Sequence, residues 1–90
     1  QLLLAKGDTE QASSTFKIAL DGNPKNVPAL LGQACVQFSL NRFTESLELY
    51  KRALQVYPNC PAAVRLGIGL CRYKLGQFEK ARQAFQRVLQ

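Results

Sequence analysis

The sequence predicts an all-α protein, a solenoid of antiparallel helix pairs, and three observations carry that prediction. Ala12, Phe16, Ala19, Leu20 and Pro24 recur 34 positions later as Ser46, Tyr50, Ala53, Leu54 and Pro58, and most of the set returns after a further 35 as Ala81, Phe85, Val88 and Leu89. The small-aromatic-small pattern steps by four and then three, which lays it along one stripe of a helix. The breaks repeat as regularly as the stripes, with Pro24 and Pro58 ending one class of helix and Gly7, Asn41 and Gly76 the other. A period of this length means that each unit is a helical hairpin whose apolar side is covered only by its neighbours.

The elements follow in chain order, their ends placed to within about two to four residues. A short helix over about 2–6 is closed by Gly7. The next, over about 9–21, carries Ala12, Phe16, Ala19 and Leu20 and stops near Gly22, because Pro24 cannot donate to the helix and crowds the turn before it. A third, over about 27–40, ends at Asn41, which tolerates the left-handed backbone that closes a helix. The fourth, over about 43–56, repeats the stripe as Ser46, Tyr50, Ala53 and Leu54 and stops near Val56, ahead of Pro58. A fifth, over about 62–75, ends at Gly76, and a sixth, over about 78–90, carries Ala81, Phe85, Val88 and Leu89. A small residue opening each stripe lets the adjacent helix approach closely, and the ring four residues later fills the space between hairpins.

The extra residue between the second and third copies falls within 59–63, since Gly32 and Gly67, Leu40 and Leu75, and Phe43 and Phe78 already differ by 35. A loop absorbs an insertion that a helix face does not. The chain divides into one array of a partial first repeat (1–24), a second repeat (27–58) and a third (61–90). Gln1 and Gln90 fall inside the helical pattern, so the expectation is a segment of a longer solenoid.

Composition narrows the chemistry. The chain has three cysteines, Cys35, Cys60 and Cys71, at unrelated places in the repeats, and no histidine. No Cys-x-x-Cys pair or His completes a zinc shell, and a nucleophilic Cys has no His base, so reduced thiols packed as small hydrophobes in an intracellular protein are the expectation. Asp8, Asp21, Glu45, Glu48 and Glu79 offer no inward pair for acid-base work, and helix-start or surface roles account for them. Gly67 and Gly69 lie within a helical stretch and not after a strand, which points to close helix packing and not to a phosphate loop. The expectation is therefore a protein with no catalytic residue, no metal site and no cofactor. No apolar run approaches the ~20 residues of a membrane span. The net charge of +6 is uneven: residues 51–90 hold eight basic residues against Glu79 alone. That half could meet an acidic partner or nucleic acid, but no aromatic-flanked basic groove or reader motif accompanies it, and a solvated surface is the plainer account, against direct nucleic-acid binding.

The ladder Gly69, Gly76, Phe78, Ala81, Phe85 and Leu89 in the third copy, and Ala34, Phe43, Tyr50, Ala53, Leu54 and Pro58 in the second, resembles the tetratricopeptide repeat (TPR) over the whole chain. Thr9, Asn41 and Ser46 depart from it mildly. Arg72 and Gln37 stand where the family often has an aromatic, and Arg65 where a large apolar residue is frequent; an Arg stem covers apolar surface while its head reaches water. The resemblance implies a right-handed superhelix whose inner wall, lined by the first helix of each pair, takes partner peptides. Leu31, Cys35 and Phe38, with Leu66, Leu70 and Tyr73, are the partner-binding residues it implies, with Lys74 at the edge; burial of Leu31, Leu66 and their neighbours by flanking repeats of a longer array is the alternative reading. Family members that grip acidic chaperone tails carry Lys, Arg and Asn on that wall; here Leu31, Cys35, Leu66 and Leu70 cannot hold a carboxylate, so a helix or extended segment with leucine-like anchors is the expected partner.

Two phrases, Pro28-Ala29-Leu30-Leu31-Gly32 and Cys60-Pro61-Ala62-Ala63-Val64-Arg65-Leu66-Gly67, resemble more particularly the TPR subunits of the RNA polymerase II-associated PAF elongation complex. That likeness implies a nuclear, non-catalytic scaffold that holds other subunits of a multiprotein complex and helps couple transcription elongation to histone modification. An adaptor or substrate-recognition arm of another assembly, whether cochaperone, ubiquitin ligase or modifying enzyme, stays open, as does pairing of two copies through exposed stacking faces.

Overall fold

The computed structural model describes the backbone of residues 6–89 and the side chains of residues 9–87. It contains five helices among those residues: α1 Lys6–Gly22, α2 Val27–Ser39, α3 Phe43–Val56, α4 Ala62–Lys74 and α5 Phe78–Leu89. α2 with α3 and α4 with α5 form the two hairpins, and α1 packs on α2 as α3 packs on α4. No strand occurs among the described residues.

The turns inside the two hairpins are the same turn, 35 residues apart. At the end of α2, the Arg42 N–H donates to the Gln37 carbonyl at 2.9 Å and the Asn41 N–H to that of Phe38 at 3.0 Å; at the end of α4, the Gln77 N–H donates to Arg72 at 2.8 Å and the Gly76 N–H to Tyr73 at 3.0 Å. These bonds satisfy carbonyls that the helix leaves unpaired, and they require a left-handed residue just past the helix. Asn41 and Gly76 supply it with φ of 62° and 81°. The connections between hairpins differ in length as expected: residues 57–61 join α3 to α4, whereas 23–26 join α1 to α2, one residue fewer. α2 starts on Asn26, whose side chain accepts from the Ala29 N–H at 3.2 Å, with Pro28 in the first turn, where its missing N–H costs nothing.

The break expected at Gly7 does not occur, because α1 runs through Gly7 without interruption. Glycine permits either backbone, so a residue that can close a helix can equally continue one. The helix expected over about 2–6 falls, apart from Lys6, outside the described residues.

The repeated rings hold the array together by lying on bare backbone. A methyl group added at Gly32 would sit 2.3 Å from Phe16 Cζ, and one added at Gly67 would sit 2.6 Å from Tyr50 Cζ. In both places the aromatic of one repeat's second helix presses on the first helix of the next repeat. Phe85 makes the complementary contact within its own hairpin, where a methyl at Gly69 would meet Cε1 at 2.5 Å. Around these contacts Leu47, Cys60, Val64, Ile68 and Cys71 form a buried cluster, with Leu30 and Val36 fully enclosed nearby.

Candidate functional site

The first helices of the two hairpins carry the residues expected to meet a partner, and the structure gives the two stripes different surroundings. On α2, Leu31 and Phe38 are half-buried against the core cluster, while Cys35 between them is exposed. On α4, the repeat-equivalent Leu66, Leu70 and Tyr73 keep 43%, 39% and 54% of their surface exposed. The other side of α4 is closed, since Val64, Gly67, Ile68 and Cys71 are all buried. The helix therefore has two apolar faces, one consumed by the fold and one open. Lys74 is exposed at the end of the open face.

Aromatic pairs extend both stripes into the next helix. Phe38 meets Phe43 edge-on with ring centroids 5.1 Å apart, and Tyr73 meets Phe78 in the same way at 5.3 Å. Such pairs add roughly 0.5–1.5 kcal/mol beyond the area they bury and fix the ring orientation. The Phe78 ring is itself exposed and continues the open apolar surface beyond Tyr73. Sequence reasoning left Phe78 out of the stripe; its equivalence to Phe43, 35 residues earlier, is the signal that could have found it.

Tyr50 is the residue that sequence reasoning assigned to packing alone. Its ring lies over Gly67, and its hydroxyl reaches back to α2, 3.6 Å from Cys35 Sγ on the exposed stripe. Burial pushes the phenol well above its ordinary value, and the neighbouring Cys35 pushes the same way, so the Tyr50 hydroxyl keeps its proton. Deeper in, Cys71 Sγ donates to Ser46 Oγ at 3.4 Å, and Ser46 Oγ donates to the Ala34 carbonyl at 2.7 Å. Ser46, where the repeat more often has alanine, is thus a fully buried hydroxyl with both its donor and its acceptor role filled. Burial raises the Cys71 thiol above its ordinary 9.0. Cys35, Cys60 and Cys71 are all free.

No group of His, Cys, Asp or Glu able to hold a metal ion occurs among the described residues. The carboxylates do not converge: Glu48 pairs with Lys51 at 3.6 Å, and Glu79 pairs with Arg82, both on exposed helix surface. The bond from Arg82, and then its charge, draws the Glu79 carboxyl below its usual range. Among the described helices none is long and apolar enough to cross a membrane. What the arrangement presents is an open apolar face on α4.

Sequence comparison agrees with this architecture. The chain matches the family described as tetratricopeptide repeat twice, over residues 1–63 and 31–90. It is 74% identical over 90 residues to the "Protein CTR9 homolog" of Arabidopsis thaliana, covering all of this chain and 8% of that protein. It is 32% identical over 81 residues to the "RNA polymerase-associated protein CTR9" of Caenorhabditis elegans, covering 90% of this chain and 7% of that one. A "Tetratricopeptide repeat protein 1" of Schizosaccharomyces pombe is 33% identical over 85 residues, 94% of this chain and 8% of its own length. The chain thus spans less than a tenth of each of these relatives. With hairpins, helix-closing turns and interlocking rings all repeating at the interval the family pattern requires, the chain belongs to the tetratricopeptide repeat family.

Proposed function

We propose that the chain is a non-catalytic scaffold segment of the TPR subunit of the RNA polymerase II-associated PAF elongation complex, acting in the nucleus and holding another subunit through the open face of α4. The kinship with the two proteins named CTR9, at 74% and 32% identity, supports the assembly. One observation carries the binding mode: Leu66, Leu70 and Tyr73 form a continuous exposed stripe on a helix whose opposite side is already buried. Three large side chains held open on a rigid helix present apolar area at little entropic cost to the bound state, which is the anatomy of an interface centre. Leu31, Cys35 and Phe38 continue the surface onto α2, with Cys35 and the Tyr50 hydroxyl offering a polar contact between apolar anchors. The stripe suits an amphipathic helix or extended segment with spaced leucine-like side chains, and Lys74 at its edge favours an acidic residue there.

A pull-down of the other core subunits of the complex tests the reading with Leu66→Glu combined with Leu70→Glu. Both positions are exposed, so the helical circular dichroism should be retained while capture falls by tenfold or more. Undiminished capture by a folded double variant removes this face from consideration.

A further inference from the structure

A second surface on the same hairpins is unlike the first in every chemical respect. Between α3 and α5, with α4 as its floor, runs a groove of about 330 Å³ whose rim carries Lys51, Arg65, Arg72, Lys80 and Arg87 and, among the described residues, no carboxylate. Leu54, Ile68 and Ala84 give it an apolar floor. Its α4 residues, Arg65, Ile68 and Arg72, point roughly 130° around the helix from Leu66, Leu70 and Tyr73, at 3.6 residues per turn. The groove is therefore separate from the proposed partner-binding stripe.

The molecule contains its own control. Between α1 and α3, over α2, lies the repeat-equivalent groove, lined among others by Lys17, Leu20, Gln37, Glu45, Glu48 and Arg52. Position by position, Lys17 becomes Lys51, Gln37 becomes Arg72, Glu45 becomes Lys80, Glu48 becomes Gln83 and Arg52 becomes Arg87. The first groove sets Glu45 and Glu48 against Lys17, Arg42 and Arg52, whereas the second holds five cations and no acid among the described residues. Packing does not require this, because the same helix geometry is built in the first groove with Gln and Glu at those places. Neither is the excess cancelled locally. Glu48 engages Lys51 alone, at 3.6 Å, and Arg72 donates to the neutral Gln77 at 2.9 Å. Lys80 and Arg87 have no carboxylate partner among the described residues.

We propose that this groove docks an acidic polypeptide segment in extended form, with carboxylate side chains on the rim and one aliphatic side chain on the Leu54, Ile68 and Ala84 floor. The volume lies at the low end of the range for binding clefts, about 300–1,000 Å³, enough for a short stretch of peptide. Lys80 and Arg87 are two turns apart on α5, about 10 Å along its axis. That separation matches acidic residues three apart in an extended polyproline II chain, which returns to the same face every three residues at about 3.1 Å per residue. Nucleic acid fits less well: single-stranded binding uses aromatic platforms for the bases, and among the described residues no aromatic side chain lines the groove.

Fluorescence polarisation on the full-length protein tests this with three labelled probes: a peptide with Glu at three-residue intervals around one Leu, the same peptide with Gln for Glu, and an oligouridine RNA of equal net charge. The acidic peptide should bind in a salt-sensitive way, and the Gln peptide should not. Lys80→Glu with Arg87→Glu, both exposed and so neutral for folding, should weaken the acidic peptide about tenfold. The charge-matched control, Lys17→Glu with Arg52→Glu in the first groove, should change it less than twofold, as should Leu70→Glu on the apolar stripe. An equal loss in the Lys17 and Arg52 control would reduce the effect to overall charge and overturn the proposal. So would RNA binding more tightly than the peptide with the same dependence on Lys80 and Arg87, or no binding of the acidic peptide at low salt.

Discussion

The contact between Tyr50 and Gly67 is the sharpest place to test how the repeats hold together. Gly67→Ala would put a methyl carbon 2.6 Å from Cζ and 2.8 Å from Cε2 of the Tyr50 ring, against the roughly 3.5–4.0 Å of an unstrained carbon contact. The ring must therefore retreat by about 1 Å, and it is wedged between two helices with its hydroxyl engaged at Cys35. Overpacking of this kind costs about 1–3 kcal/mol, and the gain of Ala over Gly within a helix returns roughly 0.5–1 kcal/mol. The net expectation is a loss of about 1–2 kcal/mol, or a fall of about 4–16 °C in Tm for a chain of this size. Gly22→Ala is the internal reference, because nothing lies within 4 Å of a methyl group there, and it should be neutral or slightly stabilising. Thermal melts followed by circular dichroism measure both. In a Tyr50→Ala background the cost of Gly67→Ala should vanish, a coupling of about 1 kcal/mol or more. If Gly67→Ala matches Gly22→Ala, or keeps its full cost without the Tyr50 ring, the interlock between repeats is not as described.

Two further outcomes follow from the same structure. Gly76→Ala, at φ of 81°, should destabilise by about 1–2 kcal/mol in denaturant titration, whereas Asn41→Gly at the equivalent turn should shift stability by no more than a few tenths; equal costs at the two sites would contradict a shared left-handed turn. The protons on Cys71 and Tyr50 are held more tightly in the fold than in the unfolded chain, whose ordinary values are 9.0 and 10.0, so the unfolded state loses them first. The stabilisation is fully present below about pH 9 and is lost as the pH climbs beyond it; the denaturation midpoint should fall between about pH 8.5 and 10.5, less steeply in Cys71→Ala, and a flat profile would count against the buried thiol.

How far the sequence reached depended on the range of the interaction. Helix ends at Gly22 and Val56, the turns at Asn41 and Gly76 and the longer loop before α4 were legible, because prolines, left-handed backbones and stripe spacing act within a few residues along the chain. Gly7 was misread for the same reason: glycine closes a helix only where the next segment turns back, and its own φ and ψ allow both courses. The residues expected to meet a partner lie on α2 and α4, but their exposure was not readable. Leu31 and Leu66 occupy equivalent positions; one packs against the core cluster while the other is open, a difference set by what lies across from each and not by the residue.

By itself, then, the order of amino acids determined the helical hairpins, their period and the family, since a stripe of four-three spacing between punctual breaks has one compact solution, mutual burial of adjacent pairs. The tertiary structure alone decided which rings land on which glycines, that the Tyr50 hydroxyl surfaces beside Cys35, and that five cations scattered from Lys51 to Arg87 converge on one groove. Those are distances between helices far apart in the chain. Burial and charge add up through space, where only the packed structure brings the contributing groups together.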